Sequence, residues 1–280
     1  MLVVEFVLLM FLVSVFAGVF GSIVGLGGGV VVIPALTIIF GIDIHFAIGA
    51  SIVAIIGTSS GAASTYVRDK VTNLRVGMFL ELGSTTGAII GAALAAYANA
   101  AALELIFGGI LIISLVPTLM KIGEEIPKSP ELKGLARRLS LAGSYVEKDG
   151  SAIRYNSERP VEGLVGTWVA GILSGLLGIG GGAFKVLSMD LAMKLPMKVS
   201  TTTSNFMIGV TAAASAGIYF ARGDVDPLIV APVAVGILIG AALGARVLLR
   251  SRNASIRKAF AAVMAVAAAE MILSALGVLP

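Results

Sequence analysis

The 280-residue chain has no cysteine, a single histidine and a single tryptophan, and only 13% of its residues are charged. Without cysteine there are no disulfides, thiolate zinc sites, iron–sulfur clusters or cysteine nucleophiles. Soluble domains carry about 25% charged residues, so a chain with half that share does not present an ordinary water-facing surface. What it has in quantity is apolar: 58% hydrophobic residues, a mean hydropathy of +1.02 and 35 glycines. The apolar residues come in blocks of membrane-spanning length rather than as alternating strands. These features predict an all-α polytopic membrane protein.

Ten hydrophobic segments are expected, near 2–24, 28–40, 44–66, 75–98, 101–121, 161–178, 183–194, 198–220, 227–249 and 257–277. The second and seventh are too short to cross about 30 Å of hydrocarbon as straight helices, and read as broken or re-entrant half-helices. The first carries no positive flank, with Glu5 its one charge, and is expected as a retained helix rather than a cleaved leader. If every segment changes side, eighteen of the twenty Lys/Arg fall on one face. That face is expected to be cytoplasmic and both termini outside. Basic residues so confined to loops argue against a nucleic-acid partner.

The chain divides into a first membrane unit, 1–121, a polar connector, 122–160, on the cytoplasmic side, and a second membrane unit, 161–280. Within the connector Asp149-Gly150 separates two β-prone runs, the pattern of a small hairpin.

The two units are related. Aligning Ala17 with Ala170 matches Gly18, Gly25, Gly27, Gly28 and Gly29 to identical residues, and pairs Ser51 with Ser204, Thr58 with Thr211 and Tyr66 with Tyr219. After a small gap G87-A-I-I-G-A-A-L matches G236-I-L-I-G-A-A-L. Five segments per unit is an odd number, so the second must enter the membrane upside down. Two inverted repeats of five segments are the expectation, an architecture typical of secondary transporters.

Both units carry G-x-G-G-G, at Gly25–Gly29 and Gly178–Gly182. Three consecutive glycines unwind a helix and free backbone groups that lipid cannot satisfy. Where the unwound peptide lines a cavity, the N–H groups opening the next half-helix can face an anion. Close helix packing is enough to account for Gly57/Gly61, Gly83/Gly87/Gly91 and Gly236/Gly240/Gly244. It does not require three glycines in a row. A dinucleotide loop is excluded by the absence of any βαβ context.

G25-L-G-G-G-V-V-V-I-P34, G178-I-G-G-G-A-F-K-V and T201-T-T-S-N-F-M-I-G-V-T-A212 together resemble the TauE/SafE family of sulfite and organosulfonate exporters, over essentially the whole chain outside 121–160. The resemblance implies transport of small sulfur-containing anions such as sulfite, thiosulfate or organosulfonates across a prokaryotic cytoplasmic (inner) membrane, coupled to an ion gradient. One departure is Leu187, where the family often has a proline matching Pro34 of the first unit; the seventh segment should therefore be less kinked.

The candidate substrate-binding residues are Gly27, Gly28, Gly29, Ser51, Thr58, Gly180, Gly181, Gly182, Lys185, Thr201, Thr203, Ser204 and Asn205. Hydroxyls and an amide can donate to sulfonate oxygens without placing a full charge in the membrane. Asn205 leads this set; simple back-bonding to helix carbonyls is the alternative for the hydroxyls. Lys185 either neutralises the anion or snorkels to an interface or pairs with Asp190. Glu81 is a candidate proton carrier; the competing reading pairs it with Arg75 or Lys70 near the segment's end. His45 reads as a surface residue beside Asp43.

Nothing in the chain calls for a cofactor or metal, and its segments lack the nucleophile, base or ligand cluster an enzyme needs. A passive anion channel and a membrane scaffold are the competing classes. A homodimer fits the small-residue stripes as well as internal packing does.

Overall fold

The computed structural model describes residues 3–24, 28–68, 71–119, 134–146, 152–248 and 253–278. These are predominantly helical. In chain order the elements are α1 (Val3–Val24), α2 (Gly29–Pro34, continued by a π-helical turn, Ala35–Ile39), α3 (Ile44–Arg68), α4 (Leu74–Ala95) and α5 (Ala100–Leu119). A short helix α6 (Gly134–Arg138) and strands β1 (Ala142–Val146) and β2 (Ala152–Asn156) follow. The chain then runs through α7 (Pro160–Leu177), α8 (Gly182–Leu191), α9 (Met197–Arg222), α10 (Pro227–Leu248) and α11 (Asn253–Ala275).

Three of these helices, α4, α7 and α9, are long and apolar enough to cross a membrane; α1, α3, α5, α10 and α11 contain shorter apolar stretches, as does α2 with its π-helical turn. Leu8, Leu12, Phe16, Leu82, Ile113, Val165, Val169 and Phe220 stand exposed on the outer helix faces. In water such a surface would drive association; in lipid it is the expected exterior. At 1.5 Å per residue, α8 is only about 15 Å long, roughly half the hydrocarbon thickness.

The helices pack α4 against α7 and α9, α1 against α10, α10 against α3, α3 against α9, and α5 against α11. The closest crossings run along small residues. A Cβ at Gly87 or Gly91 would overlap the carbonyl oxygens of Trp168 and Ile172 in α7, and one at Gly18 or Gly240 would do the same to the backbones of α10 and α1. Backbone contact of this kind is open to glycine alone, and it brings helices together where there is no hydrophobic force between them. The packing predicted for the Gly83/Gly87/Gly91 stripe is therefore present.

Pro34 has no N–H to give to the carbonyl four residues back, and the helix loosens into the π-helical turn just after it. With Leu187 at the matching place, α8 stays regular to Leu191.

β1 and β2 form an antiparallel hairpin in which Ala142 faces Asn156 and Val146 faces Ala152. The turn expected at Asp149-Gly150 lies outside the described residues. Tyr145, Tyr155, Leu141 and Ala136 pack with Val76 and Leu80 of α4, Met189 of α8, Met193 and Leu195 after it, and Val199 and Met207 of α9. The hairpin thus closes off one end of the α4–α8–α9 group. Asn73 joins it to both long helices. Its side-chain oxygen accepts from the Val76 N–H and so caps α4, its amide donates to Tyr155 Oη (3.1 Å), and its backbone N–H donates to Thr203 Oγ1 (3.1 Å).

Candidate functional site

The second glycine cluster forms a sharp reversal between α7 and α8. Gly178, Gly180 and Gly181 have φ of +63°, +76° and +63°, a left-handed backbone that costs other residues roughly 1–2 kcal/mol each. α8 then opens from Gly181, which has no side chain to cap it. A small cavity beside this end is lined by Gly181, Gly182, Ala183 and Phe184 from the α8 side and by Val30, Leu111, Ser114 and Ile179.

The first cluster meets the second. Ser51 Oγ of α3 donates to the Gly178 carbonyl oxygen (2.8 Å). Gly29, the first residue of α2, lies against both atoms; a Cβ there would strike Ser51 Oγ and come within 2.8 Å of the Gly178 oxygen. Gly28 is buried against Ile237. Gly27 lies outside the described residues.

The polar run at the start of α9 divides by direction. Ser204 Oγ donates to the Gly182 carbonyl (3.1 Å), tying α9 to the start of α8. Thr203 is buried and occupied by the Asn73 N–H, and Thr202 bonds back to Lys198 and Val199. Thr201 and Asn205, one helical turn apart and half-buried, make no hydrogen bond among the described residues. Thr58 bonds back to Ala54 and Ile55 of its own helix. Ser51, Thr58, Thr203 and Ser204 thus have bonds within the protein, whereas Asn205 and Thr201 have none among the described residues.

Lys185 and Glu81 sit elsewhere than the competing readings put them. Lys185 is wholly buried, so it does not snorkel, and it points away from Asp190: its Nζ donates to Thr211 Oγ1 (2.6 Å). Glu81 is 8% exposed and turns into the protein rather than toward Arg75; Lys70 lies outside the described residues. Thr211 Oγ1 donates to Glu81 Oε1 (2.7 Å), Thr85 Oγ1 donates to the same oxygen (2.8 Å), and Ser84 Oγ lies 2.8 Å from Thr211 Oγ1. One hydroxyl therefore bridges a buried lysine and a buried glutamate. Glu81 Oε2 is buried without a partner among the described residues. Charges placed this deep in apolar surroundings are costly unless paired and mark functional positions.

Thr211, Ser84 and Thr85 are absent from the candidates read from sequence. Two signals pointed to them: the identity of Thr58 and Thr211 between the repeats, and the position of Thr85 one helical turn from Glu81, on the same face. His45 stands beside Asp43, with Nδ1 2.8 Å from Oδ1.

Apolar helices with lipid-compatible outer faces, a half-length helix opening from a glycine reversal, and a buried acid–base network beside it define a polytopic membrane protein of the transport class. The chain belongs to the sulfite exporter TauE/SafE family, whose sequence profile matches residues 10–271. It is similar to the probable membrane transporter protein YunE of Bacillus subtilis (strain 168), 30% identical over 250 residues that cover 87% of this chain and 88% of the relative. The probable membrane transporter protein YdhB of the same organism is 27% identical over 241 residues, 86% of this chain and 88% of its own. No solved structure matches the chain. The protein is a membrane transporter of the TauE/SafE type.

Proposed function

We propose that this protein is a secondary transporter that carries small sulfur-containing anions (sulfite, thiosulfate or organosulfonates) across the cytoplasmic membrane by alternating access, driven by a proton or other ion gradient. The observation that carries the reading is the meeting of the two glycine clusters: Gly29 against Gly178, with Ser51 bonded between them. A transporter built from two inverted repeats needs such a meeting of half-helices, where backbone N–H groups can receive an anion.

The packing supports the two-repeat part. Exchanging α1–α5 with α7–α11 turns the α4–α7 contact into α10–α1 and the α4–α9 contact into α10–α3, and returns α3–α9 and α5–α11 to themselves. A pseudo-two-fold axis relating 1–121 to 161–280 has this consequence. The Lys/Arg asymmetry supports a cytoplasmic connector at 122–160 and termini on the opposite side. Thr201, about one turn before Ser204, and Asn205, directly after it, make no hydrogen bond among the described residues and are the side chains we assign to an anion at the α8 end.

The test is counterflow in liposomes preloaded with sulfite, thiosulfate or sulfoacetate. Saturable exchange of labelled tracer for one of these, abolished by Asn205→Ala and Gly180→Leu in protein that remains folded, is the expected result. Uptake without saturation or counterflow would identify a passive channel instead.

A further inference from the structure

We infer that Glu81 and the transported anion are alternative partners of Lys185, so that each anion is carried together with one proton on Glu81. This rests on the transport reading above and adds to it the coupling ion, the residue that bears it and the sign of the coupling.

The argument starts from donor and acceptor counts. Thr211 has one hydroxyl proton and two lone pairs. Lys185, an obligate donor, fills one lone pair at 2.6 Å. The Thr211 proton then goes to Glu81 Oε1 at 2.7 Å, with the Met207 carbonyl as a second acceptor at 2.8 Å. Ser84 Oγ fills the remaining lone pair. The chain Lys185→Thr211→Glu81 is polarised in one direction, and its far end must be an acceptor with negative charge to balance the ammonium. The ionised Glu81 supplies it.

Two vacancies show how the balance changes. Lys185 uses one of its three N–H donors among the described residues, and Glu81 leaves Oε2 unbonded in a buried position. A proton taken from water onto Oε2 makes Glu81 a neutral acid and leaves the Thr211 and Thr85 bonds to Oε1 in place. Lys185 then becomes an uncompensated cation with two free donors, and a sulfonate or sulfite oxygen restores the balance. No other bond is made or broken. The charge count inside the protein is the same with Glu81 ionised and no anion as with Glu81 protonated and a monoanion bound. Either proton or anion alone leaves a buried net charge.

The surroundings leave this exchange to the pair. Glu81 is on α4, which packs against α7 and α9. From α9 Thr211 donates to it and from its own helix Thr85 does, α7 brings Thr167 to the carbonyl of the neighbouring Leu80, and Lys185 of α8 is the charged group acting on it. The repeat offers no second copy. Under the pairings already given, Lys185 corresponds to Val32, Glu81 to Val230 and Ser84 to Val233, while Thr58, the counterpart of Thr211, bonds only to its own helix among the described residues. One of two symmetry-related positions holds the charges, which gives one proton per cycle.

Methanesulfonate is the probe, because it is a monoanion throughout pH 6 to 8 and any proton that moves with it is carried by the protein. Uptake of labelled methanesulfonate into liposomes holding a trapped pH dye is measured at external pH 6, 7 and 8. The wild type should acidify the lumen by one proton per anion, with uptake at limiting anion falling about tenfold per pH unit while Glu81 is ionised. Glu81→Gln, which keeps the Thr211 and Thr85 contacts and cannot ionise, should take up methanesulfonate at a pH-independent rate with no lumenal acidification. Thr211→Ser should retain the coupling and Thr211→Val should lose it, a pair that decides the matter if the glutamine variant does not fold. Methanesulfonate uptake without protons in the wild type, transport confined to the dianions thiosulfate and sulfoacetate, or an unchanged pH slope in Glu81→Gln overturns the inference and leaves the transporter standing. If neither methanesulfonate nor sulfite, thiosulfate or sulfoacetate moves in the wild type at any pH, the transport reading and this inference fall together.

Discussion

Ser51 in α3 donates a 2.8 Å hydrogen bond to the carbonyl oxygen of Gly178, at the far end of α7. With Gly29 pressed against both atoms, the bond fastens the first glycine cluster to the second. Ser51→Ala leaves a buried carbonyl short of its donor and should cost about 1–3 kcal/mol. Gly29→Ala should be worse, because its Cβ meets backbone as well as Ser51. The double variant should recover part of the loss, since removing Oγ clears one of the two clashes. Melting temperatures of the four proteins in detergent form the cycle that checks this; strict additivity would mean the clusters do not touch.

Lys185 and Glu81 should be destabilising to remove singly and tolerable to remove together. Taking away one partner of a buried pair strands the other, at about 3–5 kcal/mol, whereas apolar replacement of both is often neutral. Lys185→Met should therefore melt well below the wild type, and Lys185→Met/Glu81→Gln should return most of the difference while remaining inactive in anion uptake. A double variant no more stable than Lys185→Met would show that the two side chains are not energetically linked.

Glycines on the helix crossings should differ sharply from those facing open space. Gly91→Ala puts a methyl group into the Ile172 and Leu176 backbones and should cost about 1–3 kcal/mol or force α4 from α7. Gly217→Ala, in α9 with nothing within 4 Å of the new Cβ, should be neutral or gain about 0.5–1 kcal/mol from helix propensity. The comparison is read from thermal stability of the purified proteins.

Tyr155, in the hairpin outside the membrane helices, should set an alkaline limit on hairpin docking. Burial pushes its hydroxyl above the ordinary tyrosine value, outweighing the opposing Asn73 hydrogen bond. A raised value means the folded form holds the proton more tightly than the unfolded one. The stabilisation is complete below about pH 10, where the unfolded phenol begins to ionise, and is lost as pH rises toward the folded value. Tyr155→Phe should lose about 1 kcal/mol through the unmet Asn73 amide and show a flatter alkaline decline. Melting curves from pH 8 upward compare the two.

The sequence alone determined the environment and the segmentation. A low charge density and spanning-length apolar blocks admit one solvent, lipid, and in lipid the backbone must be helical, so the elements and their approximate ends follow from hydropathy, glycine and proline. The kinked second segment and the regular seventh were likewise readable, because Pro34 lacks its N–H and Leu187 does not. Lys185, Glu81 and Asn205 could be picked out as expensive residues for such surroundings. Their partners could not. Proximity along the chain offered Arg75 or Lys70 for Glu81 and, at an imperfect offset of five, Asp190 for Lys185, since the sequence shows only which residues neighbour each other along the chain. The tertiary structure instead joins α4, α8 and α9, and places Thr211 between a lysine 26 residues before it and a glutamate 130 residues before it. Which side chains meet across helices is decided by how closely the backbones approach and at what angle, and a sequence states neither.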